Sequence, residues 1–235
     1  MSVVQSFLDR VFFTTTHVVK VTGAGDRFRL IDLEGEALTR ARVGHGDKIQ
    51  VRAAGLALRT YTPIAWDQAR GRVRIVAFVH GHGGGPGTAW ARAVREGEGC
   101  AFFGPRRSTD LAKARGPVVL FGDETSIGVG ASLRELAGKR AELVFEATKA
   151  RDVAPALDAL TVANAHVFER SDGDTHLRAA SEHIASLVKD SKDATIVFTG
   201  RAKSIAALRS HLRAANVDVA MKAKAYWAEG RTGMD

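Results

Sequence analysis

Two patterns of apolar and polar positions divide the chain. Up to about residue 110, β-branched and apolar residues alternate with polar ones in short runs: His17 to Val21, Arg27 to Leu33, Lys48 to Ala53, Leu58 to Ile64 and Arg72 to Val79. Gly- and Asp-containing turns and Gln68-Ala69-Arg70-Gly71 separate them. Many short strands punctuated in this way predict an antiparallel barrel. Ahead of them Val4, Phe7, Leu8, Val11 and Phe12 recur at helical spacing and predict a leading amphipathic helix.

Beyond Lys113-Ala114-Arg115-Gly116 the texture changes. Strands are predicted at Pro117 to Phe121, Ala141 to Glu146, His166 to Glu169, Ala194 to Thr199 and Val217 to Lys222, with helices running to about Gly138, from Thr175 to Lys189 and from Arg201 to Ala215. Strand alternating with helix implies a parallel sheet covered by helices, and ligands of such sheets sit at the carboxyl ends of the strands. Two loops fall there, Gly122-Asp123-Glu124-Thr125-Ser126 and Gly200-Arg201. The chain is thus expected to form two domains, 1–112 and 113–235, without repeats or low-complexity segments.

Composition narrows the classes. A 235-residue chain with 45% hydrophobic content can bury two modest cores. Cys100 is the only cysteine, which excludes disulfide frameworks, Cys-ligated zinc and Cys-held iron–sulfur clusters. Met1 to Phe13 contains Asp9 and Arg10 and no small-residue cleavage site. No window approaches the roughly eighteen apolar residues of a membrane span, so a cytoplasmic protein with no membrane partner is expected. The net charge of +8 is uneven: residues 1–110 carry 16 basic against 10 acidic residues, residues 111–235 carry 18 against 16. The basic excess is scattered as single arginines rather than in blocks, which suits a small anionic ligand better than nucleic acid.

The candidate chemistry lies in four places. Arg59-Thr60-Tyr61-Thr62-Pro63 offers a cation, a flat ring and hydroxyls on a strand. The run from Val79, His80 and Gly81 through Gly83-Gly84-Gly85-Pro86-Gly87-Thr88 to Trp90 opens a short helix with bare backbone N–H groups, a setting for phosphate. His80 and His82 have a His-x-His spacing, but a third ligand is missing nearby, so a cofactor-lining loop is favoured over a metal site. Asp123 and Glu124 read as paired carboxylates or, the favoured reading, as helix-capping acids that would repel a pyrophosphate, so tight dinucleotide binding is not expected. Lys149 and Arg151 follow the second strand of the later domain, where a 2′-phosphate would be read. Lys222, Lys224 and Arg231 frame Tyr226-Trp227; this segment is either a final strand with a frayed basic tail or a tail presenting cations to an anionic substrate.

The succession of Arg59 to Pro63, the His80 to Trp90 loop, Gly104-Pro105-Arg106-Arg107-Ser108, Phe121 to Thr125 and Tyr226-Trp227-Ala228-Glu229-Gly230 resembles the siderophore-interacting protein family of FAD-dependent ferric-siderophore reductases. It covers nearly the whole chain in order. The resemblance implies a six-stranded antiparallel FAD-binding barrel followed by a parallel-sheet NAD(P)H-binding domain of the ferredoxin-reductase kind. It implies Arg59 on the FAD pyrophosphate, Tyr61 against the isoalloxazine and Thr62 at the ring edge, with Thr60, Val79, His80, Gly81, Gly87, Thr88 and Trp90 completing the FAD site. It implies Gly122, Asp123, Glu124, Thr125, Gly200 and Arg201 on the nicotinamide side, with Trp227 a cofactor contact in a tail that folds over the flavin and Lys222, Lys224 and Arg231 toward a ferric siderophore. Arg201 stands where many relatives carry an acid and is expected to offset part of the acidic loop. No catalytic side chain and no protein ligand for iron are implied, because the flavin carries the chemistry and the siderophore holds the metal. The implied activity is electron transfer from NADPH or NADH through FAD to Fe(III), by a monomer. A general ferric-chelate or flavin reductase and a non-catalytic siderophore binder are the alternatives.

Overall fold

The computed structural model describes residues 13–55, 57–81, 84–112, 114, 116–162 and 164–230. The predicted leading helix, His82, Gly83 and Arg231 lie outside them. Two units, Met1–Asp110 and Leu111–Asp235, each carry their own core.

In the first unit the strands are β1 (Thr14–Ala24), β2 (Phe28–Glu34), β3 (Lys48–Ala54), β4 (Ala57–Tyr61), β5 (Ile64–Asp67), β6 (Arg72–Phe78) and β7 (Gly99–Arg106). They form one antiparallel sheet in the order β4-β3-β7-β1-β2-β6-β5. The expected barrel of six strands is a seven-stranded curled sheet, a half-barrel whose edges, among the described residues, are β4 and β5. Two features of the sequence cause this. Pro63 has no N–H for a ladder and splits the Leu58 to Ile64 run into β4 and β5, while the apolar Cys100-Ala101-Phe102-Phe103 run becomes β7 and inserts between β3 and β1.

Alternation sets the inner face. Along β6, Val73, Ile75 and Ala77 are buried while Arg72, Arg74 and Val76 are half-buried. Helices α1 (Glu36–Arg40) and α2 (Pro86–Ala93) close over this face with Leu38 and Ala91. Cys100 belongs to the same core, and burial pushes its thiol up to about 12, which makes it unreactive.

The second unit has β8 (Val118–Gly122), β9 (Ala141–Ala147), β10 (His166–Glu169), β11 (Thr195–Arg201) and β12 (Ala220–Trp227), all parallel, in the order β10-β9-β8-β11-β12. Helix α3 (Ile127–Ala137) lies so close to the Leu120, Leu143 and Phe145 face that a Cβ at Gly130 would come within 2.8 Å of Phe145 Cζ. Helices α5 (His176–Val188) and α6 (Ala202–Ala214) cover the opposite face, where Leu177, Ile184 and Leu208 pack on Phe121, Val144 and Phe198. Between β9 and β10 runs α4 (Ala150–Ala159), which the hydrophobic pattern did not predict because Pro155 interrupts it. The last strand lies further along than Val217 to Lys222, so Tyr226 and Trp227 are strand residues rather than a tail. Among the described residues no helix is long and apolar enough to cross a membrane.

Charge pairs cross the β2–β6 ladder where opposite charges stand in register. Asp32 faces Arg74 and Glu34 faces Arg72. Asp32 accepts two hydrogen bonds from Arg74, at 2.6 and 2.9 Å, and its side chain is 7% exposed, whereas Arg72 and Glu34 are each 40% exposed. Arg74→Ala strands a buried carboxylate and is expected to cost about 1.5–3 kcal/mol in urea denaturation. Arg72→Ala is expected to cost less than about 1 kcal/mol. Equal losses would refute the burial argument.

Candidate functional site

Arg59 and Tyr61 stand two apart on β4 and therefore share a face, and Gly87 and Trp90 stand three apart on α2 and share another. The two faces meet. A Cβ on Gly87 would fall 2.8 Å from Arg59 Cγ and 3.1 Å from its Cδ, so only glycine lets the arginine lie across the first turn of the helix. Arg59 Nη1 donates to the Leu58 carbonyl at 2.6 Å, while Nη2 lies 3.5 Å from where a Cβ of Gly85, the N-cap of α2, would stand. Further along, the Tyr61 and Trp90 rings have centroids 5.8 Å apart at 43°. Burial pushes the Tyr61 phenol well above its ordinary range, against the pull of Arg59. A guanidinium beside a helix N-terminus, followed by two aromatic rings, can take an anion and a flat heterocycle side by side.

The other predicted residues of this unit fall around that constellation. Thr60 alternates to the opposite face of β4, and Thr62 lies in the link between β4 and β5. Val79 is buried in the core and its N–H donates to the Arg27 carbonyl at 2.7 Å. Thr88 is buried, accepting from the His80 N–H at 3.3 Å and holding its own N–H on Gly85. His80 and Gly81 are fixed through their carbonyls by Arg92, and the His80 ring packs edge-on against Phe78.

In the second unit the carboxyl ends of β8 and β11 lie side by side at the point where strand order reverses, the usual ligand crevice of such sheets. Asp123 is held there. Its Oδ1 accepts from the Thr125 N–H at 2.9 Å and the Thr125 hydroxyl at 2.5 Å, and its Oδ2 accepts from the Trp227 indole at 2.6 Å. A Cβ on Gly200 would come within 2.5 Å of Asp123 Cγ, and Gly200 has φ +94, so glycine is required twice over. Asp123 caps the turn leading into α3, as the capping reading predicts.

Glu124 points elsewhere. Arg170, after β10, grips it with two hydrogen bonds at 2.8 and 2.6 Å, and the Thr148 N–H adds a third at 2.8 Å. Arg170 lies 3.6 Å from a second carboxylate, that of the fully buried Glu146 on β9, which accepts from Ser204 at 2.7 Å and meets His176 Nε2 at 2.9 Å. Since His176 Nδ1 accepts from the Ser171 N–H at 3.3 Å, its proton is assigned to Nε2, facing Glu146. Sequence reasoning missed Arg170, Glu146, His176 and Ser204. The available signal was an acid at an inward position of an apolar strand.

Arg201 does not offset the acidic loop. It pairs with Asp174 at 2.6 Å and Glu229 at 2.5 Å, and Lys203 reaches Asp174 as well at 2.7 Å. A bulge between β11 and β12 sets Arg201 opposite Trp227. Lys222 and Lys224 lie on one face of β12, half-buried. Lys149 stands at the N-cap of α4, 3.8 Å from Glu169, and Arg151 is exposed.

Two family models match successive segments of the chain: a siderophore-interacting FAD-binding domain over residues 3–109 and a siderophore-interacting protein domain over residues 116–230. No curated protein matches the chain. Among solved structures it is similar to the siderophore-interacting protein SipS from Aeromonas hydrophila, at 18% identity and a TM-score of 0.73, covering 94% of this chain and 93% of that one. The siderophore-interacting protein from Acinetobacter baumannii is similar at 18% identity and a TM-score of 0.71, with 94% and 92% covered. Phthalate dioxygenase reductase, described as a modular structure for electron transfer from pyridine nucleotides to a 2Fe–2S centre, matches at 16% identity and a TM-score of 0.70, with 93% and 70% covered. The fold is ferredoxin-reductase-like.

The two acids of the Gly122 to Ser126 loop titrate in opposite senses. Burial pushes Asp123 up to about 6, helped by Glu124 and resisted by Thr125, Trp227 and Arg170. For Glu124 burial also pulls upward, but the Arg170 fork and the Thr148 amide outweigh it and leave the carboxyl below its ordinary value. A folded-state value above the unfolded 3.8 means that Asp123 binds its proton more tightly when folded, so its effect on stability becomes more unfavourable as pH rises from about 4 to 6. Denaturation across that window should show the stability of the wild type falling relative to Asp123→Asn, by on the order of a few kcal/mol. A difference independent of pH would contradict a buried, titrating Asp123.

Proposed function

The chain belongs to the siderophore-interacting protein family, and from that premise we propose that it is an FAD-dependent reductase passing electrons from NAD(P)H to Fe(III) in a ferric siderophore, with release of Fe(II) in the cytoplasm. The observation that carries this reading is the meeting of Arg59 with the glycine-lined first turn of α2, beside the Tyr61–Trp90 pair. FAD fits the residues present. Arg59 and the start of α2 would hold the pyrophosphate, in a cradle that a Cβ at Gly87 would fill. Tyr61 and Trp90 would present flat faces to the isoalloxazine.

When bound, FAD supplies the chemistry: it accepts two electrons from the nicotinamide donor and can pass them on singly. The chain's own residues bind and orient. Lys149 and Arg151 would meet the phosphate of the donor's adenosine end, which favours NADPH. Lys222 and Lys224 would steer an anionic ferric chelate, which carries its own iron ligands, so no side chain of the protein has to hold the metal.

Arg59→Ala removes one charge-assisted contact and is expected to weaken FAD binding by about 10- to 150-fold, the equivalent of about 1.5–3 kcal/mol. Fluorescence titration of the apoprotein measures it. Gly87→Val, which drives a side chain into Arg59, should weaken FAD comparably while leaving the hydrogen bond from His80 N–H to the Thr88 hydroxyl in place. Anaerobic mixing of the FAD-loaded protein with NADPH and NADH, and then with several ferric siderophores, tests the activity. Flavin that bleaches with neither donor, or is reoxidised no faster by any ferric chelate than by buffer, would count against the reading. Equal reoxidation by simple ferric chelates would favour a general ferric-chelate reductase.

A further inference from the structure

The crevice between the ends of β8 and β11 already contains an anion, and it belongs to the chain. The Asp123 carboxylate, 1% exposed, collects a backbone N–H, a hydroxyl and an indole N–H, a donor set that would serve a phosphate oxygen equally well. Thr125 and Trp227 supply those donors from opposite ends of the unit's sequence. The second carboxyl terminus at this point, that of β11, has a glycine against Asp123 with no room even for a methyl group.

Trp227 is in turn fixed. The bulge opposite Gly200 and Arg201 sets it in register with Arg201, and two residues further on Glu229 is clipped to Arg201 at 2.5 Å. Arg201 is anchored from below by Asp174. The end of β12 is therefore fastened across the crevice at two points, one by an indole on a buried carboxylate and one by an ion pair. The charged groups that face Asp123 are Glu124 in its own loop and Arg170 from the end of β10; β11 and β12 bring Gly200 and Trp227, which carry no charge.

We propose that Asp123 sets the affinity for the nicotinamide donor: its carboxylate stands in for the donor's phosphate at the β8/β11 crevice, Trp227 latches it there, and the donor binds by releasing that latch. This rests on the nicotinamide-donor reading above. It makes Asp123 a competitor of the donor rather than one of its ligands. Charge repulsion and occupied donors act in the same direction, so donor binding is weak while Asp123 is ionised and strengthens when it is neutral.

Calorimetric binding of NAD+ to the FAD-loaded full chain, between about pH 5 and pH 8, tests this. NAD+ is chosen because it lacks the 2′-phosphate, whose own titration near pH 6 would obscure the result. Asp123→Asn and Trp227→Phe should each tighten NAD+ by about 5- to 50-fold at neutral pH, and Glu229→Gln, altering an exposed clip, by up to about 5-fold. Wild-type affinity should rise toward that of Asp123→Asn as the solution is acidified, and Asp123→Asn should lose this pH dependence. Thermal melting followed by circular dichroism checks folding; if Asp123→Asn does not fold, Trp227→Phe and Glu229→Gln decide the matter. Reduction of the wild-type flavin by NADPH together with unchanged NAD+ affinity in the folded variants would overturn the latch and leave the donor reading intact. Failure of NADPH and NADH to reduce the flavin in the wild type and in every variant would overturn both. Reduction in the variants but not in the wild type would support the latch.

Discussion

A carboxylate taken out of water has to be answered by donors or by a cation, at a penalty of several kcal/mol if it is not. Asp123, Glu124 and Glu146 are all nearly or wholly buried at the carboxyl ends of β8 and β9. Their needs arrange that end of the second unit. Arg170 comes from the end of β10, His176 and Ser204 from the first turns of α5 and α6, the amide of Thr148 from the end of β9, and the indole of Trp227 from β12. Glu146 thus sits at two helix N-termini, where a negative charge is favoured. Strand order makes this possible, because β8 lies at the centre and its loop can reach both sides of the sheet.

The first unit solves the opposite problem. Its scattered basic excess is represented at the site by Arg59, whose guanidinium rests on a carbonyl and a glycine turn. Packing a cation against the positive end of a helix is unfavourable on its own and becomes favourable when an anion binds between them. The fold places that arrangement at the half-barrel's edge, where, among the described residues, β4 has no strand partner on one side and α2 can lie against it.

These features differ in how far the sequence exposes them. Arg59 and Tyr61 were legible because a spacing of two on a strand fixes a shared face, and Gly87 because a glycine in the opening turn of a helix leaves backbone N–H groups bare. An antiparallel first unit and a parallel-sheet second unit were legible from the change from alternating runs to strand–helix repeats, though not that the first sheet is a half-barrel of seven strands. Pro63 and Pro155 explain two departures: one divided a strand that the apolar pattern ran together, the other concealed α4. The last strand was displaced because Val217 and Val219 carry the β-branched signal while the strand itself, Ala-Met-Lys-Ala-Lys-Ala-Tyr-Trp, is mostly small and polar. Arg170, Glu146, His176 and Ser204 could not be grouped from sequence, because their contacts join positions far apart along the chain and no local spacing relates them.

Arg201 shows how much depends on which acid an arginine takes. Two nearly buried arginines, Arg170 and Arg201, stand at the ends of strands on either side of β8, among five carboxylates: Asp123, Glu124, Glu146, Asp174 and Glu229. Had Arg201 turned toward Asp123, a cation would hold that carboxyl ionised at all ordinary pH. Asp174, at the start of α5, and Glu229 take it instead, and the paired cations of Arg201 and Lys203 pull Asp174 down to about 2. Arg170 is taken chiefly by Glu124, which it drives below its ordinary value. The donors left to Asp123 are an amide, the Thr125 and Ser126 hydroxyls and an indole, none of them charged, so burial, helped by Glu124, prevails over them and over the pull of Arg170, and its carboxyl rises to about 6. The placing of Arg170, Arg201 and Lys203 on Glu124, Asp174 and Glu229 therefore leaves Asp123, the acid that lies in the crevice, with its carboxyl raised.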